Sequence, residues 1–184
     1  MERQEPGGLE PLIASAPPFR SRFVEVFGAH FPKVFRYLTR ISDDPELAAD
    51  LAQEVFLRLY RRGSMPDDPE AWIITVAINL FRNERAKTGR RRVRLSRSRA
   101  ERVQSDPTPS PAELAWGCEA KADVRRALDG LPERDRQMLL LRAEGYPYRE
   151  IASALDVPEA SVGTLLARAR GAFKEAYERV VHAR

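Results

Sequence analysis

Cysteine is almost missing from this chain of 184 residues: Cys118 stands alone, which excludes an internal disulfide and any zinc site built from clustered cysteines. Histidine is nearly as scarce. His30 and His182 lie near opposite ends of the sequence with no ligand-spaced companion, so neither a metal site nor a cofactor is expected. No apolar run approaches the roughly 18 residues that a membrane-crossing helix needs, so no membrane insertion is expected. The opening text, MERQEPGGLEPLIASAPPF, is punctuated by proline and glycine and lacks the charged start and continuous apolar core of a secretion signal. A cytoplasmic location is the expectation. Alternation of apolar and polar residues over a useful length is also missing, as is any internal repeat, so strands and repeat architectures are not expected.

What remains reads as helix, with 43% hydrophobic residues, enough for one or two modest cores. Phe23, Phe27, Phe31, Val34, Leu38 and Ile41 recur at helical spacing. The stretch DPELAADLAQEVFLRLYRR, from Asp44 to Arg62, follows with Leu47, Leu51, Val55, Phe56 and Leu59 on one side and Glu46, Asp50, Gln53, Glu54 and Arg58 on the other. Asp43 or Asp44 can cap this helix, with Pro45 just inside it. The dense apolar stretch AWIITVAINLFRN begins at Ala71, and the three segments are expected to form one bundle with the aromatic residues in its core. A second bundle is expected to start near Pro111 or Ala112. Its first stripe is Leu114, Val124 and Leu128; Leu131 and Pro132 restart the chain, Met138, Leu139 and Leu141 form the next stripe, and Gly145 stops it.

The segment YREIASALDVPEASVGTLLARAR, Tyr148 to Arg170, has the spacing of a helix-turn-helix. Ile151, Ala152 and Leu155 give the first helix its apolar face. Asp156 suits the left-handed residue of a tight turn, and Pro158 a first helical turn. Val162, Leu165, Leu166 and Ala169 then recur at i, i+3, i+4, i+7. Ala152 is small enough for two helices to approach steeply. Glu159, Ser161, Thr164 and Arg168 are left on the opposite face, able to bond base edges or phosphates in a major groove. A surface helical hairpin without a ligand is the plainer alternative.

The net charge of +4 conceals an uneven distribution. Between Arg82 and Arg102 stand Arg82, Arg85, Lys87, Arg90, Arg91, Arg92, Arg94, Arg97, Arg99 and Arg102, against only Glu84 and Glu101. Such a run repels itself unless an anionic partner is near, and nucleic-acid phosphate fits, driven by counterion release. The text SRSRAERVQSDPTPSP then has too few apolar residues to pack and three prolines opposing a helix, so it reads as an extended linker. The acidic side of Asp44 to Arg62 is open to two readings, a solvated helix face or a docking surface. A magnesium-dependent nuclease using Asp43, Asp44, Asp50 and Glu54 is disfavoured, because no third convergent ligand or lysine accompanies Asp50 and Glu54.

In order, DLAQEVFLRLY, AWIITVAINL, a basic tail, a proline-rich linker, LPERDRQMLLL and a terminal helix-turn-helix resemble bacterial RNA polymerase sigma factors of the extracytoplasmic-function group, over about Phe23 to Tyr177. The resemblance implies an all-α chain of two small helical bundles joined by a flexible linker. Its expected parts are a disordered tail (1–18), a region 2-like domain (19–94), a linker (95–111) and a region 4-like domain (112–184) containing the helix-turn-helix. It implies a transcription initiation factor with no catalysis of its own, whose partners are core RNA polymerase and promoter DNA. Asp50, Gln53 and Glu54, with Arg58 on the same face, would dock on the clamp coiled coil of the polymerase's largest subunit. Trp72, Asn79, Arg82, Arg85, Lys87, Arg90 and Arg91 would face the minus-ten element, with Asn79 at a position that helps hold an unstacked base. The loop Gly63 to Pro69, made acidic by Asp67 and Asp68 and followed by Glu70, corresponds to the loop that encloses that base. Glu159, Ser161, Gly163, Thr164 and Arg168 would face the minus-thirty-five element. The chain departs from the family text at Ile73, Ile74 and Thr75, where aromatic and basic residues are common, and at Gly163 and Leu165, usually basic. Family members are often held by an anti-sigma protein, others by fused extensions or phosphorylation, and the sequence does not choose among these. A stand-alone dimeric helix-turn-helix repressor or activator is the competing reading.

Overall fold

A computed structural model describes residues 19–96 and 113–183, with side chains at 19–87 and 119–183. The tail, most of the linker, and the side chains of Arg90, Arg91 and Leu114 lie outside the described residues. Every regular element among the described residues is an α-helix: α1 (Phe19–Ser42), α2 (Pro45–Arg62) and α3 (Pro69–Ser96), then α4 (Glu113–Asp129), α5 (Glu133–Ala143), α6 (Tyr148–Leu155) and α7 (Glu159–His182). The basic run therefore begins on a helix that continues two residues into the expected linker.

Local chemistry explains the boundaries. Asp43 adopts φ 60° between α1 and α2, and Asp44 Oδ1 then accepts from the Leu47 amide at 3.0 Å, supplying the expected cap. Gly63 ends α2 at φ 70°, where a Cβ would be strained, and its N–H donates to the Tyr60 carbonyl. Asp68 caps α3, accepting from the Ala71 amide at 3.1 Å. Gly145 at φ 84° stops α5, as its position predicts. Asp156 takes the left-handed turn at φ 54°, ψ 53°, with its N–H on the Ala152 carbonyl. Pro158 stands one position ahead of α7, at its cap, and not within its first turn.

The first bundle closes over Val34, Leu38 and Ile41 of α1, Leu51, Val55, Phe56 and Leu59 of α2, and Ile73, Ile74, Ile78 and Phe81 of α3. The second is built on Met138 and Leu141 of α5, Ile151 and Leu155 of α6, and Val162, Leu166 and Ala169 of α7. Two expectations are corrected. Val124 is exposed, and α4 turns Asp123 and Ala127 inward, because it lies along α7, where a small residue permits close approach. The N-terminal half of α1 projects past the core, so Phe27 and Tyr60 stay at 40% and 45% exposure in a ladder of ring contacts with Phe19 and Phe23.

The two bundles touch. α3 lies along α6 and α1 against α5, and the apolar cores merge into one cluster. Tyr37 of α1, Tyr146 of the α5–α6 turn and Gln137 of α5 are fully or almost fully buried.

The helix-turn-helix rests on Ala152, 7% exposed, beneath the turn that its carbonyl anchors. Leucine would add three carbon atoms at this nearly closed position. Ala152→Leu should lower stability by about 1 to 3 kcal/mol, read as a fall in the thermal unfolding midpoint; an unchanged midpoint would show that the two helices do not meet there.

Candidate nucleic-acid and polymerase interfaces

Burial of the apolar stripe of α2 leaves its opposite side outward. Asp50, Gln53 and Arg58 are exposed and Glu54 is half-buried, with Arg58 Nε donating to Glu54 Oε1 at 2.8 Å. That hydrogen bond holds the Glu54 carboxyl below its ordinary range. Leu57, 41% exposed, joins this face because it follows Asp50 by seven residues, two helical turns. Sequence reading passed over it, since the heavier stripe of Leu51, Val55 and Leu59 drew the apolar assignment. The result is an apolar spot ringed by polar and charged groups, the composition of a protein-docking surface.

Helix α3 carries two different sides. Trp72, Val76 and Asn79 share one, Trp72 half-buried and Asn79 exposed. Asn79 is therefore no buried amide in need of backbone partners; its donors and acceptor are available to a ligand. Ile73 and Ile74 are buried, and Thr75 Oγ1 donates to the Ala71 carbonyl, so these residues serve the core and the helix. Arg82 and Arg85 turn away from the Asn79 side toward α5. Arg82 Nη2 donates to Gln137 Oε1 at 2.9 Å, and Arg85 Nη1 to Glu133 Oε2 at 3.2 Å. Lys87 Nζ donates to Glu84 at 3.1 Å. Of the acidic groups expected to line the base-enclosing loop, Asp68 holds the α3 cap and Arg149, and Glu70 holds Lys33; Asp67 is exposed.

In α7, Glu159, Thr164 and Arg168 face solvent while Ser161 and Gly163 are half-buried. A Cβ on Gly163 would meet the Tyr148 ring at 3.6 Å, an ordinary contact, so the glycine is not demanded by packing. Leu165 is partly buried against the core, which accounts for an apolar residue where a basic one is common. The outward polar face of α7 is thus narrow, with Arg168 as the strongest hydrogen-bond donor among these residues.

Sequence reading missed the groups between the bundles. Glu144 pairs with Arg36 at 3.1 Å and with Arg40, Arg149 with Asp68 at 2.8 Å, and Lys33 Nζ lies 3.8 Å from the centre of the Tyr146 ring. Glu150 is buried there, with one carboxylate oxygen lacking a hydrogen-bond partner. Burial foremost, then the negative charge of Glu70, pushes its carboxyl up to about 7, with Asp68 adding and Lys33 and Arg149 opposing. Burial likewise raises the Tyr37 and Tyr146 hydroxyls far above the ordinary tyrosine range.

The fold defines a class: a two-bundle helical protein with a C-terminal helix-turn-helix. Sigma-70 region 2 matches residues 26–91 and Sigma-70 region 4 matches residues 121–173. The chain is 30% identical over 154 residues to the ECF RNA polymerase sigma factor SigE of Mycolicibacterium smegmatis, an alignment covering 82% of this chain and 60% of that protein. It is 31% identical over 156 residues to the RNA polymerase sigma-H factor of Pseudomonas aeruginosa, covering 79% and 81%. With the ECF RNA polymerase sigma-E factor of Escherichia coli it shares 31% over 134 residues, covering 67% and 70%. The fold matches a sigma factor RpoE solved in complex with the anti-sigma factor NepR from Bartonella quintana, with a TM-score of 0.62 at 21% identity, over 89% of this chain and 98% of that one. The chain belongs to the extracytoplasmic-function sigma factors of the sigma-70 family.

The buried carboxyl of Glu150 makes stability depend on pH. A carboxyl whose folded pKa lies above its unfolded value stabilises fully below the unfolded value, near 4.5, and that contribution is lost as pH rises through about 7. Raising pH from 5 to 8 should therefore lower the unfolding midpoint, and Glu150→Gln should flatten that part of the profile. A profile of wild-type slope in the variant would assign the dependence to other groups.

Proposed function

We propose that this chain directs core RNA polymerase to promoters through three separate surfaces. The outward face of α2, with Asp50, Gln53, Glu54 and Arg58 around Leu57, docks on the clamp coiled coil of the largest subunit. The domain at 19–94 reads and melts the minus-ten element, with Trp72 and Asn79 at the unstacked base and Arg82, Arg85, Lys87, Arg90 and Arg91 on phosphates. The domain at 112–184 reads the minus-thirty-five element through Glu159, Ser161, Gly163, Thr164 and Arg168 of α7. It performs no bond chemistry of its own and works in the cytoplasm beside the polymerase. An anti-sigma protein as a further partner rests on the Bartonella complex.

The observation that carries this reading is the pairing of a closed apolar stripe with an open polar face on both α2 and α7. Each helix is held in its bundle without its outer side, which is left for a partner. Two small reading surfaces joined by a linker bind DNA weakly unless something sets their spacing, and polymerase supplies it. A stand-alone repressor would instead give a specific footprint alone at nanomolar concentration.

Two measurements test the surfaces. Asp50, Gln53 and Glu54 replaced together by alanine should leave helical content intact, because the apolar stripe is untouched, and reduce core-polymerase affinity at least tenfold, which is about 1.4 kcal/mol. Equal affinity would make this face plain solvated surface. Asn79→Ala should preserve the thermal midpoint, since the side chain is exposed, and reduce permanganate reactivity of thymines in the melted region. A defect on duplex promoter alone assigns Asn79 to melting, a base-specific defect on pre-melted DNA as well assigns it to recognition, and full activity on both removes it from the site.

A further inference from the structure

On α7, position 163 carries no side chain, and a ring from the neighbouring helix stands over it. A Cβ on Gly163 would meet one group from elsewhere in the chain within 4 Å among the described residues, the edge of the Tyr148 ring at 3.6 Å. Tyr148 opens α6 and stays 40% exposed. Its ring is also steadied by Arg142, whose guanidinium lies 5.6 Å from the ring centre while its Nη1 donates to the Tyr146 carbonyl at 3.3 Å. Thr164, next in α7, is exposed and offers a methyl beside its hydroxyl; Arg168 follows it one turn further along the same side. The bare Gly163 backbone, the ring edge and the Thr164 methyl thus place carbon on the face that is left outward. In a major groove the base-edge group that carbon recognises is the C5-methyl of thymine, while the other bases offer donors and acceptors there.

We propose that Tyr148 is a specificity-determining residue for the upstream element: its ring edge, over Gly163 and beside Thr164, takes up the C5-methyl of one thymine. The inference rests on the assignment of α7 to the minus-thirty-five element. It concerns the ring and not the hydroxyl, since a hydroxyl donating to phosphate does so on any sequence and selects nothing. A long cationic side chain at 163 would run along the ring and put its charge where the methyl would sit, a group that suits guanine instead. With glycine there, the ring is left to read. The thymine preference therefore comes from an aromatic residue on one helix paired with a missing side chain on the next. Held by Gly163 and Arg142, the ring loses little freedom on binding, so closing one methyl off from water is worth about a fourfold gain in affinity.

The test uses the full chain with core polymerase and duplex DNA whose upstream stretch is randomised. Affinity selection identifies the preferred bases, and fluorescence anisotropy then measures single selected duplexes. Replacing thymine by deoxyuridine removes the methyl and keeps every hydrogen bond. At one selected thymine this replacement should weaken wild-type binding about fourfold, and in Tyr148→Ala the ratio should fall to about one. Tyr148→Phe should keep the wild-type ratio, since the ring remains. Gly163→Arg should move the selected base at that position from thymine to guanine and abolish the deoxyuridine effect. Indifference of the wild type to deoxyuridine at every position, an equal ratio in Tyr148→Ala, or loss of the ratio in Tyr148→Phe overturns the proposal. If Tyr148→Ala lowers the thermal midpoint, Gly163→Arg decides, because position 163 has room for a Cβ; an unchanged thymine preference in that variant overturns the proposal. Selection of no sequence, with Arg168→Ala also without effect, defeats the assignment of α7 to DNA together with the proposal. A selected sequence that depends on Arg168 and on no methyl defeats the proposal alone.

Discussion

Along α1, the stripe of Val34, Leu38 and Ile41 is consumed by the first bundle, and immediately beside it runs a second stripe of Lys33, Arg36, Tyr37 and Arg40. Cations beside a buried tyrosine form a surface that favours contact with carboxylates and with a second ring. The end of α5 and the turn after it provide both, as Glu144 and Tyr146. Once that contact forms, the rest of the arrangement follows. The α5 N-terminus is carried to Arg82 and Arg85, α6 is laid along α3, and the polar side of α7 is left outward. Which polar groups stay outward on α7 and which arginines of α3 are paired is thus set by how α1 divides its circumference.

The same contact explains why Glu150 is buried at a cost. Its helix, α6, must give Ile151, Ala152 and Leu155 to the second core, and the residue before Ile151 then falls in the seam against α3, where Glu70 and Asp68 already stand. A carboxyl among carboxyls in low dielectric takes up a proton more readily than in water. Lys33 and Arg149 limit the penalty without removing it. The seam is therefore ionic at its rim and frustrated inside, unlike the aliphatic cores on either side.

Much of this was legible in the sequence, for physical reasons that can be named. The cap at Asp44, the left-handed Asp156 and the stop at Gly145 are local events decided by a few neighbouring bonds, and each falls where the residue type demands. The stripes of α2 and α7 are long enough for their period to define the buried face. The outward positions of Asp50, Gln53, Thr164 and Arg168 follow from the same period. The α4 stripe failed because a helix lying on another through alanine does not advertise its inner face with large residues; Val124 looked like core and is surface, and Ala127 is the reverse. The pairs of Glu133, Glu144 and Arg149 were not legible, since their partners lie 48, 108 and 81 residues away and no periodicity encodes a pair at such separations. Leu57 was hidden by the stronger stripe beside it.

These long-range pairs act within one chain. Joining parts of one chain costs less entropy than joining two molecules, so a weak set of ion pairs is enough here, though it would not be between separate molecules. The same modest strength lets a stronger partner part them. The outward face of α2 stays clear of the seam, with Asp50, Gln53 and Arg58 exposed. Whatever separates the two bundles competes against pairs that water and salt already weaken, such as those of Arg82 with Gln137 and Arg85 with Glu133.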